Sequence, residues 1–387
     1  MRPPSTPPVA RSQQRHAAAH HQQLVLFAAT LGLLWLLYSL NRVIPGYEFI
    51  SDERFFLTMI PEQASKRRLF MRAVQLLEDE NTALLLCGVF NLVCMVAGYV
   101  LLTRINLGRT GLSFLQTIYF CAIGAYLLRD CIIFLLVMGF TTILFSPRSR
   151  LITGRLWELR SWRGLWSAVL LLTLLDFRPH YTVFLLIALG VTLVAVRIKE
   201  NVRLFAVGAV SVGALLMLAS DLSERYFVYG VTVAEYLDLH QARVSMDLTP
   251  STFIVSLSKH YLAPMPTSLL ARIALDGGSA VYGALDDVYR LIYKVSLYCC
   301  MFYVGVNVGR IPAVYSRWRA RAVFLTTFSV LNATLYSGFS FGGGHERTKI
   351  FSTLFIFFLA AGLRTLELER QSRARLNYLQ GLRARFQ

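Results

Sequence analysis

The chain has 387 residues, 55% of them apolar and only 16% charged, with a mean hydropathy of +0.52. A soluble domain carries about 25% charged residues, so an ordinary water-soluble fold is excluded. The net charge of +17 would suit nucleic acid, but Arg and Lys cluster in short segments between apolar runs, as the positive-inside rule places them in membrane proteins.

Residues 1–23 are rich in Pro, Gln, His and Arg and contain no acid, which reads as a disordered cytoplasmic tail. His16, His20 and His21 belong to that tail and not to a metal site. The apolar run 24–40 lacks a small-residue cleavage site and reads as a retained first span. Further candidate spans are 83–102, 112–128, 131–145, 165–177, 181–196, 205–219, 291–308, 323–339 and 350–363. Several fall short of the about 20 residues that a span needs. The expected fold class is all-α: a polytopic helical membrane protein with about ten transmembrane helices over 24–363 and a basic cytoplasmic tail over 364–387.

Charge sets the expected orientation. With the N-terminus inside, segments 104–110, 146–164, 197–204, 309–322 and 364–387 are cytoplasmic, and they carry many arginines against few acids. Both termini are then cytoplasmic, and two long outer loops remain, about 41–82 and 220–290. Loops of that length usually carry function. In the first, 56–60 and 69–77 have the pattern of short amphipathic helices, which suits helices lying in the membrane interface. The six cysteines lie in or beside apolar runs without metal-ligand spacing and read as small core residues. No internal repeat of the kind secondary transporters carry is present.

Ionisable groups at or near membrane depth are costly, and by default they mark function. Asp52 and Glu53 directly follow the first span, where one carboxylate can deprotonate an acceptor hydroxyl or the pair can bind a divalent cation. Arg129 and Asp130 sit at the outer turn of a helical hairpin, as a structural ion pair or as part of a site. In Asp176-Phe177-Arg178-Pro179-His180 the proline breaks an apolar run, and Arg178 and His180 follow at the outer surface. A guanidinium there suits a phosphate, or snorkels to headgroups. His260 lies in Lys259-His260-Tyr261-Leu262-Ala263-Pro264-Met265-Pro266, a rigid turn or an acid/base site. Finally, Gly342-Gly343-Gly344-His345-Glu346-Arg347-Thr348-Lys349 precedes the last span, and its glycines let backbone N–H groups approach an anion.

This layout resembles the GT-C superfamily of multispan glycosyltransferases that use polyprenyl-phosphate sugars. The shared features are Asp52-Glu53 after the first span, interfacial helices after it, the Arg178-Pro179 break and the loop Gly344-His345-Glu346-Arg347-Thr348-Lys349-Ile350 before a late span. Thr348 stands where that loop usually has an aromatic residue. The resemblance implies that Asp52, with Glu53 as second choice, activates or orients the acceptor hydroxyl. It implies that Arg347 contacts the donor phosphate, and Arg178, His180, His260, His345 and Lys349 are read from the sequence as further phosphate-binding groups. Glu346, Arg129 and Asp130 are further candidates. The implied partners are a polyprenyl-linked sugar donor, a glycan or lipid-linked acceptor and membrane lipids, at the outer face of a bacterial inner membrane. A polysaccharide polymerase joining lipid-linked repeat units has a similar layout. Arg272 and Gly283 have the spacing of its loop motif, though one such pairing is expected by chance. A flippase or scaffold is the non-enzymatic alternative.

Overall fold

The computed structural model describes residues 8–43, 73–76, 80–123, 129–146, 162–197, 227–228, 231–232, 250–275, 281–338 and 346–385. Among these the chain is helical throughout, apart from a two-residue antiparallel pair, β1 (Phe227–Val228) and β2 (Val231–Thr232). The helices are α1 (Pro8–Val43), α2 (Glu80–Ile105), α3 (Thr110–Thr117), α4 (Phe120–Ile123), α5 (Asp130–Leu144), α6 (Trp162–Phe177) and α7 (Pro179–Arg197). They continue with α8 (Pro250–Leu262), α9 (Pro266–Leu275), α10 (Val281–Val306), α11 (Ile311–Arg317), α12 (Arg319–Gly338) and α13 (Glu346–Arg385).

Three described helices are long and apolar enough to cross a membrane: Ala18–Val43, Asn81–Ile105 and Lys349–Gln380. A fourth is reached if the pair Leu285–Val306 and Val308–Arg317, bent by 72°, counts as one broken span. The expectation of about ten spans therefore reduces, among the described residues, to these and two shorter apolar helices, Asp130–Leu144 and His180–Val196. The candidate span 205–219 lies outside the described residues.

Segment 112–128 departs most from its expectation, because α3 stops at Thr117 and α4 restarts at Phe120. Polar side chains explain the break. Ser113 and Gln116 turn inward to accept hydrogen bonds from the Asn106 amide at 3.1 and 3.2 Å. The Thr117 hydroxyl donates back to the Ser113 carbonyl at 2.7 Å, a bond that bends helices. Both described tails continue the terminal helices, so α1 begins at Pro8, inside the segment expected to be disordered, and α13 runs to Arg385.

The centre is α5 together with the first half of α13. Cys131, Ile133, Phe134, Val137 and Met138 of α5 are fully buried, and Phe134 stacks on Phe120 with ring centroids 4.5 Å apart. Gly98 of α2 permits this packing: a Cβ there would lie 2.5 Å from the Phe134 ring. A small residue at a close helix crossing is how membrane helices reach van der Waals contact. Burial falls outward: 72% of the apolar window of α13 is buried, 33% of that of α2 and 11% of that of α1. None of the six cysteines is in a disulfide, and Cys94, Cys121, Cys131 and Cys300 are core residues as expected, whereas Cys299 is exposed.

The bundle has two chemically different ends. At one, His20 contacts the Gly108 carbonyl at 3.1 Å, Arg109 donates to Thr365 at 2.9 Å, and Arg321 donates to the carbonyls of Arg104 and Ile105. Arg317 pairs with Glu369, and Arg364 with Glu367, which also accepts from Tyr303. The basic segments 104–110, 309–322 and 364–369, far apart in sequence, thus meet at one end. Burial and the nearby Arg364 charge hold the Arg109 guanidinium below its ordinary value. The opposite end collects the start of α5, the α6–α7 break, the α8–α9 turn and the start of α13.

Candidate functional site

At that opposite end two polar groups flank Phe351, on the first turns of α13. Its ring lies 4.8 Å from Tyr181 of α7 and 6.4 Å from Phe134, one turn into α5.

The first group joins two sequence candidates that lie 48 residues apart. The chain breaks at Arg178 because Pro179 has no N–H to continue the helix. Arg178 then pairs with Asp130 at 3.3 Å, and Arg129 donates to the Phe177 carbonyl at 2.6 Å. Arg129 and Asp130 are buried. Asp176 faces the Arg129 charge, and His180, packed on Tyr181 and Phe184, lies in the field of both arginines. Arg129 and Asp130 thus each reach across to the α6–α7 break. Two arginines and two aspartates at the bundle end, with a histidine beside them, form a charge-compensated cluster whose first role is to fix that break.

The second group lies under the α8–α9 turn. The last carbonyls of a helix have no partner within it and need donors from elsewhere. Here Lys294 of α10 donates to the Tyr261 and Ala263 carbonyls at 3.3 and 2.7 Å, Lys349 of α13 donates to the same Ala263 carbonyl at 2.8 Å, and Tyr298 donates to that of Leu262 at 2.7 Å. The Ala263–Pro264 peptide is cis. Both lysines are 2% exposed. Cations also suit the negative end of the helix dipole, so the arrangement stabilises α8 twice over. Two ammonium groups on one oxygen also concentrate positive charge at one point, and each has three hydrogens to place.

His260 completes this group. Its Nε2 lies 2.8 Å from the Ser352 hydroxyl, which also accepts from the Asn332 amide at 2.6 Å. The hydroxyl donates to His260 Nε2 when the imidazole proton is on Nδ1 and accepts from it when the proton is on Nε2. A histidine beside a serine is the arrangement of a nucleophile with its base. Ser352 is fully buried and His260 2% exposed, so here the pair serves as an internal lock between α8, α12 and α13. The Tyr261 hydroxyl donates to the Ser352 carbonyl at 3.4 Å, and burial pushes that phenol up, keeping it a donor.

A third polar group continues along α10. Arg290 binds Asp286 at 2.5 Å and Asp287 at 3.6 Å, Asp287 also binds Arg272 of α9 at 3.1 Å, and Arg290 donates to Tyr119 at 3.2 Å in the break between α3 and α4. Asp287, Arg290 and Lys294 lie at i, i+3 and i+7, one face of the helix.

Of the sequence candidates, Arg129, Asp130, Arg178 and His180 come together, and so do His260 and Lys349. Glu346 and Arg347 form the first turn of α13. Asp52, Glu53 and His345 lie outside the described residues. Sequence reasoning missed Lys294, Ser352, Asn332 and the α10 ion cluster. Lys294 carried a usable signal, a charge inside the candidate span 291–308. Among the described residues no three His, Cys, Asp or Glu side chains gather as a metal site. Comparison with family models, curated proteins and solved structures gives no match.

Proposed function

We propose that this chain is a GT-C-like membrane glycosyltransferase that takes a sugar from a polyprenyl-(pyro)phosphate donor. In this reading the basic end faces the cytoplasm and the opposite end opens to the outer face of a bacterial inner membrane, where surface glycans are assembled. The observation that carries it is the meeting of His260, Lys294 and Lys349 beneath the α8–α9 turn, directly behind Glu346 and Arg347 at the start of α13. Positive charge preorganised beside a membrane surface is what stabilises a phosphate leaving group. The Arg129/Asp130/Arg178/His180 cluster lies across Phe351 from it, within the same end.

In this reading Arg347 and His345 hold the leaving phosphate, Lys349 adds its charge from beneath the α8–α9 turn, and Arg178 and His180 are further phosphate-binding candidates. Asp52 takes the proton of the acceptor hydroxyl as it attacks the anomeric carbon, and Glu53 is its substitute. A divalent cation at Asp52 and Glu53 would serve the same phosphate.

The test is transfer from a purified lipid-linked donor by the full chain in lipid nanodiscs. Asp52→Asn is expected to abolish transfer with an unchanged unfolding midpoint, and full activity in that variant removes Asp52 from the mechanism. Arg347→Gln is expected to weaken donor binding. Absence of transfer from every lipid-linked donor offered, by a protein that stays folded, overturns the reading. The product separates the two enzymatic alternatives: one added sugar for a transferase, joined repeat units for a polymerase.

A further inference from the structure

We infer that the distal part of α13 is a docking helix for an acidic segment of another protein. The helix is continuous over 40 residues, Glu346–Arg385. At a rise of about 1.5 Å per residue it is about 60 Å long, whereas a bilayer with its headgroups is about 40–45 Å thick. The first turn of α13 sits at the end opposite the basic one, so with Glu346 at the outermost layer an upright helix leaves the headgroups at about Leu376: Leu376, Tyr378 and Leu379 lie at or beyond their edge, and Arg373 and Arg375 lie level with them. The hydrocarbon of the membrane is therefore not what covers these three apolar side chains.

This projecting part is both charged and greasy. Residues 370–385 contain Arg370, Arg373, Arg375, Arg383 and Arg385 and no acid. Glu367 and Glu369, just before, are already taken by Arg364 and Arg317. Leu376 and Leu379, one helical turn apart, are 57% and 56% exposed, and Tyr378 is 69% exposed. Arg373 precedes Leu376 by three residues and Arg375 precedes Leu379 by four, so each leucine has an arginine beside it on the helix surface. An apolar ridge edged by cations calls for a partner with apolar contacts edged by carboxylates. A second copy of this chain presents the same five arginines and repels. A nucleic acid would use the arginines and leave the leucines wet.

The experiment places a benzophenone amino acid at position 379 of the full chain in its native membrane and irradiates. The expected result is an adduct with a different protein, whose crosslinked peptide, identified by mass spectrometry, is rich in Asp and Glu. The adduct should vanish in Arg373→Glu/Arg375→Glu and persist in Arg373→Lys/Arg375→Lys, with all variants unfolding at the same midpoint. An adduct with lipid, nucleic acid or a second copy, an adduct indifferent to charge reversal, or no adduct overturns the inference.

Discussion

Two lysines close one helix end from two directions. Lys294 and Lys349 share the Ala263 carbonyl, so either one alone still leaves that oxygen satisfied. Lys349→Met is therefore expected to cost only about 1 kcal/mol, the net worth of one hydrogen bond. In Lys294→Met/Lys349→Met the carbonyl is left bare, and the penalty should exceed the sum of the single changes by about 1–2 kcal/mol. Chemical unfolding in detergent measures it, and strictly additive losses would show that the lysines act separately. Lys349 was visible in the sequence because it follows a glycine-rich loop. Lys294 was hidden, because an apolar stretch read by average hydropathy swallows a single charge. Ser352 and Asn332 gave no signal at all: their roles exist only once α12 and α13 lie side by side.

Among the elements, the crossing of α2 and α5 depends on the absence of one side chain. Gly98→Ala would press a methyl group into the Phe134 ring, which is itself held against Phe120 and Phe351. Overpacking of this kind costs about 1–3 kcal/mol. Gly190→Ala, where nothing lies within 4 Å, should be neutral or slightly stabilising, and thermal unfolding of the two variants side by side decides it. The helices themselves were legible where apolar runs are long, as in α1, α2 and α13. They were less legible at 112–123, where the helix is interrupted between Thr117 and Phe120 and Ser113 and Gln116 bond the Asn106 amide. In an apolar interior that local polar demand outweighs the hydropathy of the run.

For the molecule as a whole, the consequence of two unlike ends is sidedness. A cysteine introduced at Gln380 and one introduced at Lys259, both exposed positions, should react with a membrane-impermeant maleimide from opposite sides of sealed vesicles. Labelling is compared in a background in which the native cysteines are replaced. Reaction of both from one side would dissolve the proposed orientation. The grouping of segments 104–110, 309–322 and 364–369 at one end was expected from charge, and segments 146–164 and 197–204 lie mostly outside the described residues. The meeting of Asp130 with Arg178 and of His260 with Ser352 did not follow, because spacing along the chain says nothing of which turns become neighbours.

The lock under the α8–α9 turn also has a timetable. Ala263 and Lys349 are 86 residues apart, and His260 and Ser352 are 92 apart. At ribosomal speeds of about 5–20 residues per second, roughly 4–17 s pass between the synthesis of the turn and that of the helix that fastens it. For much of that interval Lys294 and Tyr298 of α10 are the donors at hand for the turn's carbonyls, while His260 waits for Ser352. One half of the centre, α5, is thus made about 200 residues before the other, the first half of α13.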